Sequence, residues 1–377
     1  MPTKSYQQVL AFDIKDDKLK ARYQDRLATT YYRQAEKLRD DKNPELAAQT
    51  FLKAADMAAD PKLKATADFD AATVLINAEK FKEAIPVLIA FRTRHPDSPL
   101  SQDIPEKLAV AYEKSDDLGN AALQYQVIAA RDQKKNPAAS REALWLAAET
   151  FEKIKQPEQA IKIYQQYYAD ATNPVDLRAE AMFRLYTYYD KNSRTVEAQT
   201  ALKNLAQIYD KLADKAPPRI RYFGAMSHFK LSQPLYESFA AITLKQPLKP
   251  NLLAKKKAMQ AALTAYNKVA AIGVAEFTTA ANYQQAQIYQ KFAADLKASE
   301  RPKGLSDLEL EQYGILLEEQ AEPLADKAID IYTANANLVK EQVYDSYVQQ
   351  SFDALAELSP GRYKKNELVE SAIDEIY

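Results

Sequence analysis

Small and bulky apolar residues recur along the N-terminal half of the chain at an almost fixed interval. Alanines stand at Ala47, Ala84, Ala121, Ala160 and Ala198, separated by 37, 37, 39 and 38 residues. Four positions after each comes a bulky apolar residue: Phe51, Leu88, Tyr125, Tyr164 or Leu202. Nine positions before each comes another: Leu38, Leu75, Tyr112, Phe151 or Tyr189. A period of this length is that of a repeated supersecondary unit, and such units bury their apolar faces only by stacking on neighbours. The pattern predicts an all-α solenoid of antiparallel helix pairs, an architecture more often used for binding than for catalysis.

The second unit shows how the pattern maps onto helices. Residues 65–78 read as its first helix and 81–91 as its second, with His95, Pro96 and Asp97 ending the unit. Ala72 and Ala84 are small enough to let the pair approach closely, while Leu75 and Leu88 fill the groove. Pro61, Pro96, Pro137, Pro174 and the pair Pro217–Pro218 fall at the joints, where proline cannot continue a hydrogen-bond ladder.

Beyond Pro218 the pattern loosens. A helix starting near Arg219 is expected to kink or end at Pro234, and 244–250 reads as a proline-punctuated loop. Ala262 and Tyr266 repeat the second-helix signature, with Val269 on the same apolar face, and a long helix is expected over 275–299. Ser306, followed by Glu309, has the form of a capping box opening a periodic stretch to 339. Ala328 and Tyr332 echo the signature, and a capping helix is expected over 341–358. The organisation read from the chain is an N-terminal extension at 1–21 and five repeats over 22–218. Long-helix hairpins with a capping helix follow over 219–360, then a charged tail at 361–377.

Composition narrows the chemistry. Of 377 residues, only six are glycine, too few and too scattered for a phosphate-cradling loop. There is no cysteine, which removes thiol catalysis and thiolate metal sites. The formal net charge of −1 gives no electrostatic case for nucleic acid. No apolar run approaches the roughly 20 residues that span a bilayer, so direct membrane insertion of this chain is not expected. The start of the chain has no apolar signal segment. His95 and His228 lie in different units without partners at ligand spacing, and a plain surface role is expected for both. Lys255, Lys256 and Lys257 form a local basic cluster, expected to be a solvated helix start. No catalytic residue, cofactor or metal ligand is indicated, and a non-enzymatic protein is expected.

At this point the units resemble the tetratricopeptide repeat (TPR). The third has Leu108, Ala109, Tyr112, Ala121 and Tyr125 in the family's order, and the fourth has Ala147, Ala148, Phe151, Ala160 and Tyr164. The period exceeds the family's 34 residues, and the large aromatic near the start of the first helix is missing or shifted. In the TPR fold the first helices line a concave face and their fifth positions point into it. The resemblance places Tyr32, Phe69, Glu106, Trp145 and Phe183 there. Glu142 and Glu149 stand at neighbouring lining positions. Aromatic rings rimmed by acids would suit a partner peptide or helix of apolar or basic character. The competing reading is that these rings pack between helices, since a one-residue shift in register turns them by about 100°. Lysine and arginine are absent from these positions, which argues against a clamp for a C-terminal carboxylate.

The joint Arg92-Thr-Arg-His-Pro-Asp-Ser-Pro-Leu100 resembles the joint of bacterial cell-envelope TPR proteins, such as outer-membrane assembly lipoproteins and Tol-system coordinators. The C-terminal half resembles larger TPR proteins of gliding motility. That likeness implies a periplasmic scaffold, reached through a leader outside this chain. A cytoplasmic TPR adaptor reading a peptide signal is the alternative. A helical-solenoid enzyme such as a lytic transglycosylase would need a catalytic domain that this chain lacks. RNA-binding repeats would need basic concave positions, and these are acidic or aromatic.

Overall fold

The computed structural model describes residues 2–364, which form α-helices and short turns with no strand among the described residues. Contacts gather the chain into two compact units, residues 1–170 and 171–377. The first unit opens with α1 (Pro2–Leu10). Four hairpins follow: α2 (Asp17–Asp40) with α3 (Pro44–Met57), α4 (Pro61–Asn77) with α5 (Phe81–Arg94), α6 (Ile104–Lys114) with α7 (Leu118–Asp132), and α8 (Pro137–Lys153) with α9 (Pro157–Ala169). The second unit holds the hairpin α10 (Val175–Lys191) and α11 (Thr195–Leu212). The longer α12 (Pro218–Ala241), α13 (Leu248–Ile272), α14 (Ala275–Lys297) and α15 (Asp307–Asn337) come next. The short α16 (Ser346–Leu358) and α17 (Pro360–Tyr363) complete it. Within each unit a helix packs chiefly on its neighbours in sequence, as expected of TPR-like helix pairs.

The repeating residues occupy the places their spacing assigns. All five signature alanines are buried, as are Phe51, Leu88, Tyr164 and Leu202, while Tyr125 is half-buried. Ala72, Leu88, Phe91, Leu108, Tyr112 and Ala121 form one continuous core across the second and third hairpins. A second core joins Ala35, Ala47 and Phe51 to Ala71, Leu75 and Ala84 across the first and second. Side chains from successive hairpins thus share each core, so removing one unit would expose the next.

The turns between paired helices repeat as closely as the alanines. Lys42, Glu79, Asp116, Lys155 and Ser193, each five residues before a signature alanine, all have left-handed φ of 56° to 63°. The next residue's N–H reaches back to the carbonyl of Leu38, Leu75, Tyr112, Phe151 or Tyr189, at 2.8–2.9 Å. These acceptors are the bulky residues nine positions before the alanines. Each turn therefore ties off a helix end with a Schellman-type bond while its acceptor's side chain packs inward. Proline acts at the other joints: Pro61, Pro137 and Pro218 are the first residues of α4, α8 and α12, where no intrahelical N–H is needed.

Several boundaries differ from the sequence expectation. The segment read as an extension is partly α1, which lies on α2 with Tyr6 6.4 Å from Tyr23, and Gln7 Nε2 donates to Tyr31 at 2.7 Å. α2 itself begins at Asp17, because the Asp16 carboxylate accepts from the backbone N–H groups of Lys18 and Leu19. α12 does not end at Pro234 but runs on to Ala241. α13 begins at Leu248, so Pro250 lies in its first turn, where a missing N–H is tolerated. The Ser306–Glu309 capping box forms as expected. The capping helix starts later than expected, at Ser346, where the Asp345 side chain accepts from Tyr347 and Val348. Residues 365–377, most of the expected tail, lie outside the described residues.

Candidate functional site

The four aromatic rings at the fifth positions are neither buried core nor free surface. Each is half-buried. Tyr32 meets Phe51 of its own hairpin edge-on at 5.0 Å and donates its hydroxyl to Asp70 on the next first helix, α4. Burial, and then that bond, push the Tyr32 pKa well above its ordinary value. Phe69 packs edge-on against Phe91 at 5.7 Å, and Lys107 of α6 stands 5.0 Å from its ring centre. Trp145 meets Tyr164 and Tyr167 edge-on at 5.2 and 5.4 Å. Each of these three rings packs against its own hairpin and keeps part of its surface exposed. Phe183 belongs to the second unit, where it stacks on Phe223 at 4.7 Å with Arg219 5.2 Å from its ring centre.

The acids of the expected rim do not share one environment. Glu106 is held by Arg131, whose Nη1 donates to it at 3.0 Å, and the same guanidinium also bonds Asp132. Its carboxylates, Asp132 and then Glu106, keep Arg131 charged. Glu106 is thus already paired within the fold. Glu142 is exposed on α8, and Glu149, two turns further along the same face, is half-buried.

Next to Phe69 the chain forms a hollow of about 560 Å³ that sequence reading missed. Lys62, Ala65 and Thr66 on the first turns of α4 form one wall, and the joint from Arg94 to Leu100 forms the other. Thr66 lies one turn from Phe69 on the same face of α4. Pro61, Pro96 and Pro99 hold the walls in shape, because proline fixes its own φ. Beneath the joint, His95 and Asp68 are almost fully buried and meet at 2.7 Å. Arg94 reaches the same carboxylate at 3.5 Å. His95 is therefore no surface residue: its imidazole satisfies a buried acid, and its carbonyl accepts from Ser101. The pairing joins residues 27 apart, so no local pattern announces it.

Two further expectations are overturned. His228 is largely buried, 2.9 Å from Asp210, which also accepts from Lys268 at 2.9 Å. Burial lowers the His228 pKa despite that carboxylate. The basic triple is not uniformly solvated. Lys256 and Lys257 are exposed, but Lys255 is fully buried. Its Nζ donates to the carbonyls of Phe239 and Ile242 at the end of α12, at 3.2 and 2.8 Å. Asp295 lies 2.6 Å from the same nitrogen.

No family model matches the chain, and no curated protein matches it. Solved structures do align. A chain of the Naa15/Naa10 complex bound to HypK-THB is 16% identical with a TM-score of 0.32, covering 95% of this chain and 60% of that one. This chain thus spans less than two thirds of that neighbour's length. The P58(IPK) TPR domain is 17% identical with a TM-score of 0.22, covering 90% and 99% of the two chains. A circular tandem repeat protein is 13% identical with a TM-score of 0.22, covering 96% and 91%. Superpositions this loose carry no argument, and the description of the fold as TPR-like rests on the helix pairs and their turns in this chain.

Proposed function

We propose that the chain is a non-enzymatic scaffold whose first unit grips a segment of a partner protein along Tyr32, Phe69 and Trp145. The observation that carries this reading is a half-buried ring at the same place in three first helices, beside a preformed hollow of about 560 Å³. Rigid aromatic surface gives binding energy at low entropic cost, and a hollow with fixed walls needs little rearrangement. The hollow's lining of Pro61, Ala65, Pro96, Pro99 and Leu100 suits an apolar side chain of the partner. Exposed Glu142 leaves room for a basic residue near Trp145, whereas Glu106 is already taken by Arg131.

The setting we propose is a bacterial cell-envelope assembly in the periplasm, on the resemblance of the 92–100 joint to envelope TPR proteins. Fractionation of the native cells checks this: recovery with cytoplasmic markers would favour the adaptor reading instead. The grip itself is tested by capture from native extract with the wild-type chain and the variant Phe69→Glu/Trp145→Glu, each first shown to be helical by circular dichroism. The expected result is one partner retained by the wild type and reduced at least about tenfold by the folded variant. Equal capture by both would refute the grip, and loss of folding would make the rings core.

A further inference from the structure

Helix α15 carries apolar residues on two opposite sides. Its inner side presents Leu310, Tyr313, Leu317 and Ala321, with Leu317 and Ala321 buried and α14 packed alongside. At 100° per residue, Leu308 and Ile315 lie on the far side of the helix, with Leu316 next to them. These three are 65%, 52% and 57% exposed. A helix that needs only one apolar face to join its own fold has no structural use for the second.

The charge along this stretch selects the occupant. Residues 304–326 contain no lysine or arginine, while Glu311, Glu318 and Glu322 line one flank of the apolar ridge and Glu319 lies on it. Glu309 is separately engaged in the capping box. We propose that the outer ridge of α15 docks a basic amphipathic helix of a partner protein. The partner's apolar stripe covers Leu308, Ile315 and Leu316, and its lysines or arginines face the glutamates. An anionic lipid surface is disfavoured by the same acids. The chain's own residues 366–377, with Glu367, Glu370, Asp374 and Glu375, carry the wrong sign to fill the ridge. A second copy of α15 would set glutamate against glutamate. This surface lies in the second unit and does not depend on the grip proposed for the first.

The test uses the full chain and a fluorescent peptide of about 18 residues, five helical turns, built of leucine and lysine in amphipathic register. A leucine–glutamate peptide of the same pattern is the control. Fluorescence anisotropy is expected to show binding of the lysine peptide only. That binding should weaken about tenfold in both Leu308→Ser/Ile315→Ser/Leu316→Ser and Glu311→Gln/Glu318→Gln/Glu322→Gln. Equal binding by the wild type and both variants, or no binding at all, overturns the proposal. Sedimentation velocity supplies a second arm: self-association of the wild type that either variant abolishes would assign the ridge to another copy of the chain and overturn it too.

Discussion

At the scale of the residue, the least expected feature is the use of side-chain-bearing residues in left-handed turns. Lys42, Glu79, Asp116, Lys155 and Ser193 take a conformation that glycine adopts without penalty. Such a residue costs roughly 1–2 kcal/mol in the left-handed region. Placing glycine there would loosen the unfolded chain by roughly 0.4–1 kcal/mol. The first effect wins, so Glu79→Gly is predicted to raise stability by about 0.5–1 kcal/mol in urea unfolding; an unchanged or lower midpoint would show that the turn is not strained. Because none of the five is glycine or asparagine, residue type hides these turns. Their fixed offset of five before each alanine was the only available sign. Gly224 is the opposite case. A Cβ there would lie 2.3 Å from the Tyr209 ring, so this glycine marks a close approach between α11 and α12.

At the scale of the element, the hairpins were legible because pairing requires a small residue at the crossing and bulky ones on either side. The alanine period records that requirement directly. Helix ends were less legible. The caps by Asp16 and Asp345 use a single acidic side chain each, and isolated acids are common along this chain. Lys255 illustrates a different failure. Within a run of three lysines it reads as solvated, yet it stands seven residues before Ala262 and eleven before Tyr266, on the face they bury. Extending the apolar period back by two turns would have placed it inside. There it closes the end of α12 and meets Asp295. Lys255→Met keeps the stem but removes the amine from the Phe239 and Ile242 carbonyls and leaves Asp295 with Lys291 alone. A loss of roughly 2–4 kcal/mol is predicted in urea unfolding. A wild-type midpoint would mean that water replaces the amine and that the buried contact does not hold α12 to α13.

At the scale of the whole molecule, we propose two kinds of surface for other proteins, one in each unit. The first unit presents half-buried rings on three of its four first helices, with a hollow beside one of them. The second presents the outer ridge of α15. The aromatic positions were legible because the repeat fixes the register of each first helix. Their partial burial was not, since sequence cannot say how much of a ring its own hairpin covers. The hollow was hidden as well, because it depends on the path of the 94–100 joint and on the buried His95–Asp68 pair. The central claim is that Phe69 and Trp145 touch a partner in the native cell. The most direct measurement replaces each, one at a time, with a photo-crosslinking phenylalanine analogue, using exposed Leu123 of α7 as control. The predicted result is one shared crosslinked partner at positions 69 and 145 and none at 123. Crosslinks of equal yield at all three positions, or none at 69 and 145, would contradict it.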